Sequence, residues 1–276
     1  MQDQKRKAAA FRALHTRPGA FVIPNPWDAG TAKILTQLGF EALATTSAGL
    51  AFALGRSDGA VSREETLANA RAIVEATHLP VSADLENGFG HSPEKVAETI
   101  QLAARAGLVG GSIEDATGDS DKPIYDFTLA VERIATAVEA ACALDIHFTL
   151  TARAENFLHG RPDLEDTIKR LQAFEKAGAD VLYAPGLPSF EAIREVCSAV
   201  SRPVNVVAGL SGPAISFQQL ADAGVKRVSV GSALSRTALG AFVRAANEIK
   251  ETGTFDFARG ALPYAEANAL MKERAR

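Results

Sequence analysis

Short apolar runs rich in β-branched residues recur along this chain, and longer stretches with helical periodicity separate them. The runs are Phe21–Ile23, Ala42–Thr45, Pro80–Asp84, Leu108–Ile113, His147–Thr151, Asp180–Ala184, Pro203–Val207 and Arg227–Val230. Each predicts a strand. Between them, stretches such as Ser92–Ala106, Thr128–Ala143 and Leu164–Ala177 are amphipathic and predict helices. Four helical stretches end in a glycine before the next run: Leu38-Gly39, Ala106-Gly107, Ala177-Gly178 and Ala223-Gly224. A glycine just past a helix takes the left-handed conformation that closes it without a Cβ clash. Helix, glycine, strand, repeated in this way, predicts βα units on a parallel sheet. Eight units in a chain of this length predict an α/β fold, a closed (β/α)8 TIM barrel. An open doubly wound sheet is the alternative. Its G-x-G-x-x-G fingerprint is replaced after the first run by Pro24-Asn25-Pro26-Trp27-Asp28-Ala29-Gly30. From Pro263, Ala267, Leu270 and Met271 at helical spacing predict an extra C-terminal helix on the barrel or on a neighbouring subunit. The expected organisation is one domain over 1–276, with helical extensions at 1–17 and about 252–276.

Alternate residues of a strand face opposite sides, so parity sorts the polar positions. Ser82, Asp84 and Glu86 share one face of the third run. Ser112 and Glu114 share a face of the fourth, with Val109 and Ile113 on the other. In the fifth, His147, Thr149, Thr151 and Arg153 alternate with Phe148, Leu150 and Ala152. The outer face of a barrel strand packs on apolar helices, so the polar set is expected inside. Its charged members stand at the C-terminal strand ends, where barrel enzymes place their chemistry. Asp84, Glu86 and Glu114 would crowd one mouth, with Asp115 beside them. Carboxylates so close repel, and burying them without partners is costly. Arg153 can neutralise one, and a divalent cation answers the rest. The candidate ligands are hard oxygens, with His91 the one nearby imidazole, which favours Mg2+ or Mn2+ over Zn2+. An arginine–carboxylate network that only fixes the mouth is the competing reading.

Three loops add to the picture. Small residues in Thr45-Thr46-Ser47-Ala48-Gly49 let backbone N–H groups approach an anion. Gly55-Arg56-Ser57-Asp58-Gly59 carries an acid at its tip, and Asp115–Tyr125 is polar and long enough to form a lid. His159, after the fifth run, reads as a surface residue.

Composition narrows the partners. The 276 residues are 47% hydrophobic and 22% charged, with 33 acids against 29 bases and a net charge of −4. No basic patch points to nucleic acid, and no window is apolar enough for a membrane span. Lys5, Arg6 and Lys7 are not followed by a signal-peptide core, so a cytoplasmic location is expected. Cys142 and Cys197 fall in alanine-rich helical stretches and read as packing residues.

Taken in order, Ser47-Ala48-Gly49, Gly55-x-x-Asp58, Asp84-x-Glu86-x-Gly88-x-Gly90, Ile113-Glu114-Asp115 and Ala152-Arg153 resemble the isocitrate lyase/phosphoenolpyruvate mutase superfamily over about residues 20 to 250. The resemblance implies a (β/α)8 barrel assembling as a homo-oligomer, a tetramer or dimer, with a helix exchanged between partners. It implies Mg2+ and 2-oxo acid or related carboxylate substrates. Asp84 would bind the metal directly, and Glu86 and Glu114 would hold its waters. Ser47, Ala48, Gly49 and Arg153 would bind the substrate carboxylate, with Asp58 beside the reacting centre. The chain also departs from the pattern. Glu86 replaces the second acid of D-x-D, and the Lys-Lys-Cys-Gly-His lid of the isocitrate and methylisocitrate lyases is absent from 115–125. Lys122 falls about two positions later than the lysine of the phosphonopyruvate-forming mutases, and Ala184-Pro185-Gly186 lacks the lyases' Glu. The expected activity is a Mg2+-dependent lyase cleaving or forming a carbon–carbon bond beside a 2-oxo or 2-hydroxy carboxylate. Arg153 would clamp the carboxylate, and Asp58 or Lys122 would serve the reacting centre. C–P bond chemistry on a phosphonopyruvate-type substrate, and 2-oxo acid binding without catalysis, are the alternatives.

Overall fold

A computed structural model describes residues 2–209 and 215–272. All eight runs form strands: β1 (Phe21–Ile23), β2 (Leu43–Ala44), β3 (Val81–Asp84), β4 (Gly110–Glu114), β5 (Thr149–Arg153), β6 (Val181–Tyr183), β7 (Val204–Val207) and β8 (Arg227–Ser229). Their ends shift from the expected bounds by one or two residues. The shift is clearest at β5. It pairs with β4 from Gly110↔Thr149 to Glu114↔Arg153, leaving His147 outside the ladder, 3.6 Å from Asp180.

The sheet order β1-β8-β7-β6-β5-β4-β3-β2, parallel throughout, curls into a nearly closed barrel. β1 and β2 share no ladder. Their gap is bridged by Ala44 N–H donating to Pro24 O at 3.1 Å and by the buried side chain of Asn25. Asn25 Oδ1 accepts the N–H groups of Val230 and Gly231, and its Nδ2 donates to Thr45 O, each at 2.9 Å. One amide thus ties the ends of β1, β2 and β8.

Helices alternate with the strands: α1 (Gln2–Thr16), α2 (Ala29–Gln37), α3 (Ser47–Ala53), α4 (Arg63–Glu75), α5 (Pro93–Arg105), α6 (Phe127–Cys142), α7 (Leu164–Ala177), α8 (Phe190–Ala199), α9 (Phe217–Asp222), α10 (Ala233–Thr252) and α11 (Tyr264–Met271). The four glycines expected to close helices have φ of 88°, 93°, 106° and 94° at Gly39, Gly107, Gly178 and Gly224. The core lies mainly between sheet and helices. Ala83, Leu85, Ile113, Phe148, Leu150 and Ala152 pack there against Ile100, Ile134 and Phe174. Their strand neighbours of opposite parity therefore face inward.

The floor of the barrel is α1. Phe11 and Leu14 join Phe21, Ile23 and Val109 in a separate buried cluster. Val109 thus packs on the floor and not in the outer layer with Ile113. The interior above is polar. Arg227 is buried, donating from Nε to Asn205 Oδ1 at 2.8 Å and from Nη2 to Thr151 Oγ1 at 2.9 Å. Near the C-terminus, α11 docks on α2, with Gln37 Nε2 donating to Leu270 O at 2.7 Å. Within α10 the one buried residue is Ser235. Both cysteines are free; Cys197 is half-buried, but Cys142, at the last turn of α6, is exposed and not a packing residue.

Candidate active site

The register of β3, β4 and β5 sets the site. Asp84 lies opposite Ser112, and Glu114 opposite Arg153, at the C-terminal ends of three neighbouring strands. Arg153 Nη1 is 3.0 Å from Asp84 Oδ1 and 3.1 Å from Glu114 Oε2, while its Nε is 2.9 Å from Glu155 Oε1. Tyr183 adds its ring, 5.1 Å from the guanidinium carbon. Burial opposes the charge of Arg153, but Glu155, Glu114 and Asp84 outweigh it and raise its pKa well above the ordinary value. Glu114 is also shifted well upward, by burial and then by Glu155, Asp84 and Glu86 against the pull of Arg153.

Glu86 and Asp58 complete the acidic cup. Glu86 has its pKa pushed up to about 7 by burial, then by the charges of Asp84 and Asp58. Asp58, on the loop after α3, is raised by burial and Asp84, with Ser47, the Gly59 N–H and Arg153 acting the other way. Ser47, Ala48 and Gly49 form the first turn of α3. The Thr46 hydroxyl caps it by accepting from Gly49 N–H at 3.2 Å. The amides of Ser47 and Ala48 have no partner within the helix, as at any helix start. Gly49 is required by space: a Cβ there would stand 2.5 Å from Thr46 Cγ2 and 3.1 Å from Trp27 Cβ.

Several expected residues stand elsewhere. Asp115 is buried beside the mouth but turned away from it, as its parity opposite to Glu114 requires. Its Oδ2 accepts from Arg170 Nη1 at 2.9 Å and its Oδ1 from Glu155 N–H at 2.8 Å. His91 Nδ1 meets Tyr125 Oη at 2.9 Å, away from the acids. The loop 115–125 folds on itself through an antiparallel bridge between Ala116 and Ile124. Lys122 is exposed at its tip, in no ion pair among the described residues, and so is not brought to the cup. His159 is half-buried at the rim, its pKa lowered by burial and by Arg153. Sequence reasoning missed Glu155 and Tyr183. Continuing the alternation of β5 by two residues past Arg153 would have found Glu155.

The oxygens fit a hard divalent cation. Asp84 Oδ1 is engaged by Arg153 and by the Glu86 N–H at 3.3 Å, whereas Oδ2 has no partner among the described residues. The Glu86 carboxylate likewise has none, although the side chain is half-buried. Among the described residues, no three His, Cys, Asp or Glu side chains already converge as a coordination cage. Mg2+ does not need one, since it keeps several waters and takes one or two carboxylates directly. Arg153 Nη2 is also without a protein partner among the described residues.

A parallel barrel with an acidic cup around one guanidinium at its C-terminal mouth has the layout of a barrel enzyme, whose chemistry sits at that end. The profile of the phosphoenolpyruvate phosphomutase family matches residues 11–250. The chain is 30% identical over 203 residues to 2-methylisocitrate lyase of Escherichia coli K12, spanning 71% of this chain and 67% of that protein. A structure from Burkholderia cenocepacia J2315, provisionally described as a lyase/mutase, is 61% identical with a TM-score of 0.96, covering 98% of this chain and 96% of that one. The structure of 2,3-dimethylmalate lyase, a member of the superfamily, gives a TM-score of 0.85 at 28% identity over 96% of this chain and 95% of that one. This chain belongs to the phosphoenolpyruvate phosphomutase family, within the isocitrate lyase/phosphoenolpyruvate mutase superfamily.

Proposed function

We propose that the protein is a Mg2+-dependent lyase, with Mn2+ able to substitute, that breaks a carbon–carbon bond beside the carboxylate of a small 2-oxo or 2-hydroxy acid. The observation that carries this reading is the surplus of acid at the mouth. Asp58, Asp84, Glu86, Glu114 and Glu155 share one guanidinium, and Asp84 Oδ2 and the Glu86 carboxylate have no protein partner among the described residues. Asp84 would hold the cation, with Glu86 and Glu114 holding its waters. When bound, the cation supplies a Lewis acid that offsets the enolate charge left when the bond breaks.

The protein's own groups then orient the substrate and move its proton. Arg153 Nη2 and the amides of Ser47 and Ala48 grip the carboxylate and fix which bond faces the acids. Asp58, raised in pKa beside Asp84, is suited to carry a proton to or from the reacting carbon. Lys122 would serve only if the lid carried it inward. The names of the relatives, 2-methylisocitrate lyase and 2,3-dimethylmalate lyase, support carbon–carbon cleavage. The test is a turnover screen of oxaloacetate, 2-methylisocitrate, 2,3-dimethylmalate and phosphonopyruvate, with Mg2+ and with EDTA. The reading predicts Mg2+-dependent fragmentation of a 2-oxo or 2-hydroxy acid, abolished in Asp84→Ala. Phosphate or phosphoenolpyruvate formed from phosphonopyruvate would move the chemistry to the C–P bond. Cleavage that persists with the metal stripped would overturn the reading.

The molecule would work as a homo-oligomer. Leu239, Phe242, Val243 and Ile249 on α10 are 42%, 71%, 53% and 42% exposed. A second copy of the chain is the cover this reading assigns to them.

A further inference from the structure

The segment joining β3 to α5 carries Glu86 and has an unusual backbone. Glu86 and Phe89, at φ of 48° and 59°, are the non-glycine residues in the left-handed region among the described residues. Such conformations cost free energy, and they persist only where the surroundings over-determine them. The segment is partly held by its neighbours. Thr99 Oγ1 donates to Gly88 O at 2.7 Å, Phe89 N–H to Asn87 Oδ1 at 3.0 Å, and Glu114 N–H to Glu86 O at 3.0 Å.

A further contact comes from α6. Arg133 is 1% exposed, yet no carboxylate meets it among the described residues. Its guanidinium donates instead to three main-chain carbonyls of this one segment: Gly90 at 2.8 Å, His91 and Asn87. Its face lies 4.2 Å from the centre of the Tyr125 ring, and Nε has no hydrogen-bond partner among the described residues. Burying a cation without a counter-charge is expensive, and an apolar side chain would fill the space at lower cost. Three carbonyl oxygens turned toward one point repel one another unless a cation sits among them.

We propose that Arg133 is a positioning residue for Glu86, gathering the carbonyls of residues 87, 90 and 91 so that the segment keeps its left-handed turn and the Glu86 carboxylate stays at the mouth beside Asp84. The inference rests on the metal-site reading above and adds a residue that never touches substrate or cation. Outer residues that orient metal-site groups typically control affinity by about 10–100-fold.

The experiment uses the full-length protein with Mn2+ as probe. Affinity is measured by calorimetry for wild type, Arg133→Met and Arg133→Lys, each also combined with Glu86→Gln, and thermal unfolding is recorded for all. Arg133→Met is expected to weaken Mn2+ binding by about tenfold or more, and Arg133→Lys by less, because an ammonium reaches fewer of the three carbonyls. In the Glu86→Gln background the effect of Arg133→Met should shrink to about twofold or less, since the group it positions is already disabled. Wild-type affinity in Arg133→Met, or an equal loss in both backgrounds, would overturn the proposal while leaving the metal site standing. Should Arg133→Met not fold, the same comparison is made with Arg133→Lys, where an unchanged affinity counts against the proposal. A wild type that binds no Mn2+ removes the metal-site reading and this proposal with it.

Discussion

At Arg153 one guanidinium holds Asp84, Glu114 and Glu155 within 3.1 Å, and the fork geometry of an arginine makes three contacts possible at once. A lysine would keep the charge but lose the fork. Arg153→Lys is therefore expected to lower kcat/KM by about 100-fold and to destabilise the fold by about 2 kcal/mol, because acids that shared the guanidinium are left buried with weaker partners. Steady-state kinetics and urea unfolding check both numbers, and near-native values for each would contradict this account. Strand parity made Asp84, Glu114 and Arg153 legible on inner faces, whereas Glu86 lies past the end of β3 in a left-handed turn that parity does not govern, and Glu155 was missed. Asp115 stands beside the mouth, and its parity, opposite to that of Glu114, turns its carboxylate toward Arg170. The two unpartnered oxygen sets at Asp84 and Glu86 could not be read from sequence, since they depend on how far one guanidinium reaches.

The helix α1 illustrates what the pattern of elements leaves out. Its residues 1–17 read as an extension, but nothing in their spacing says that they plug the barrel floor. The plug is made by Phe11 and Leu14, and by His15 packed edge-on between Phe11 and Phe21. His15 Nδ1 donates to Phe11 O at 2.8 Å, and Nε2 faces Arg227 Nη1 at 3.4 Å, so a neutral ring suits both contacts. Burial and then Arg227 pull its pKa down to about 3. Unfolding frees it to take a proton near its ordinary value of 6.5. The folded state therefore binds fewer protons between about 3 and 6.5. Its contribution to stability is full above 6.5 and is lost as the pH falls through that window. At pH 4.5 this amounts to about 2–3 kcal/mol relative to pH 7. Urea unfolding at the two pH values should show His15→Asn losing less stability than wild type by about that amount. Equal losses would show that His15 is not buried neutral. The eight strands, by contrast, were legible almost to their ends, because short runs rich in β-branched and apolar residues stand out between longer stretches of helical periodicity.

The molecule as a whole is a barrel whose inside and outside are both chemically distinct. Helices cover the outer strand faces with apolar side chains, while the interior carries Arg227, Asn205 and Thr151 beneath the acidic cup. The long helix α10 does not follow this plan, since its apolar residues face outward. Sedimentation or light scattering should find a dimer or tetramer, and Phe242→Asp should shift it toward monomer, because a charge would be buried at the interface. A wild-type monomer at micromolar concentration would contradict the oligomeric reading. The central claim is that the acidic cup and the substrate carboxylate share one divalent cation. The most direct measurement is Mn2+ binding to the purified protein, titrated with and without oxalate, in wild type and Asp84→Ala. The account predicts one Mn2+ per chain, bound about tenfold or more tightly when oxalate is present, with both effects lost in Asp84→Ala. Mn2+ binding indifferent to oxalate and to Asp84, or no binding at all, would contradict it.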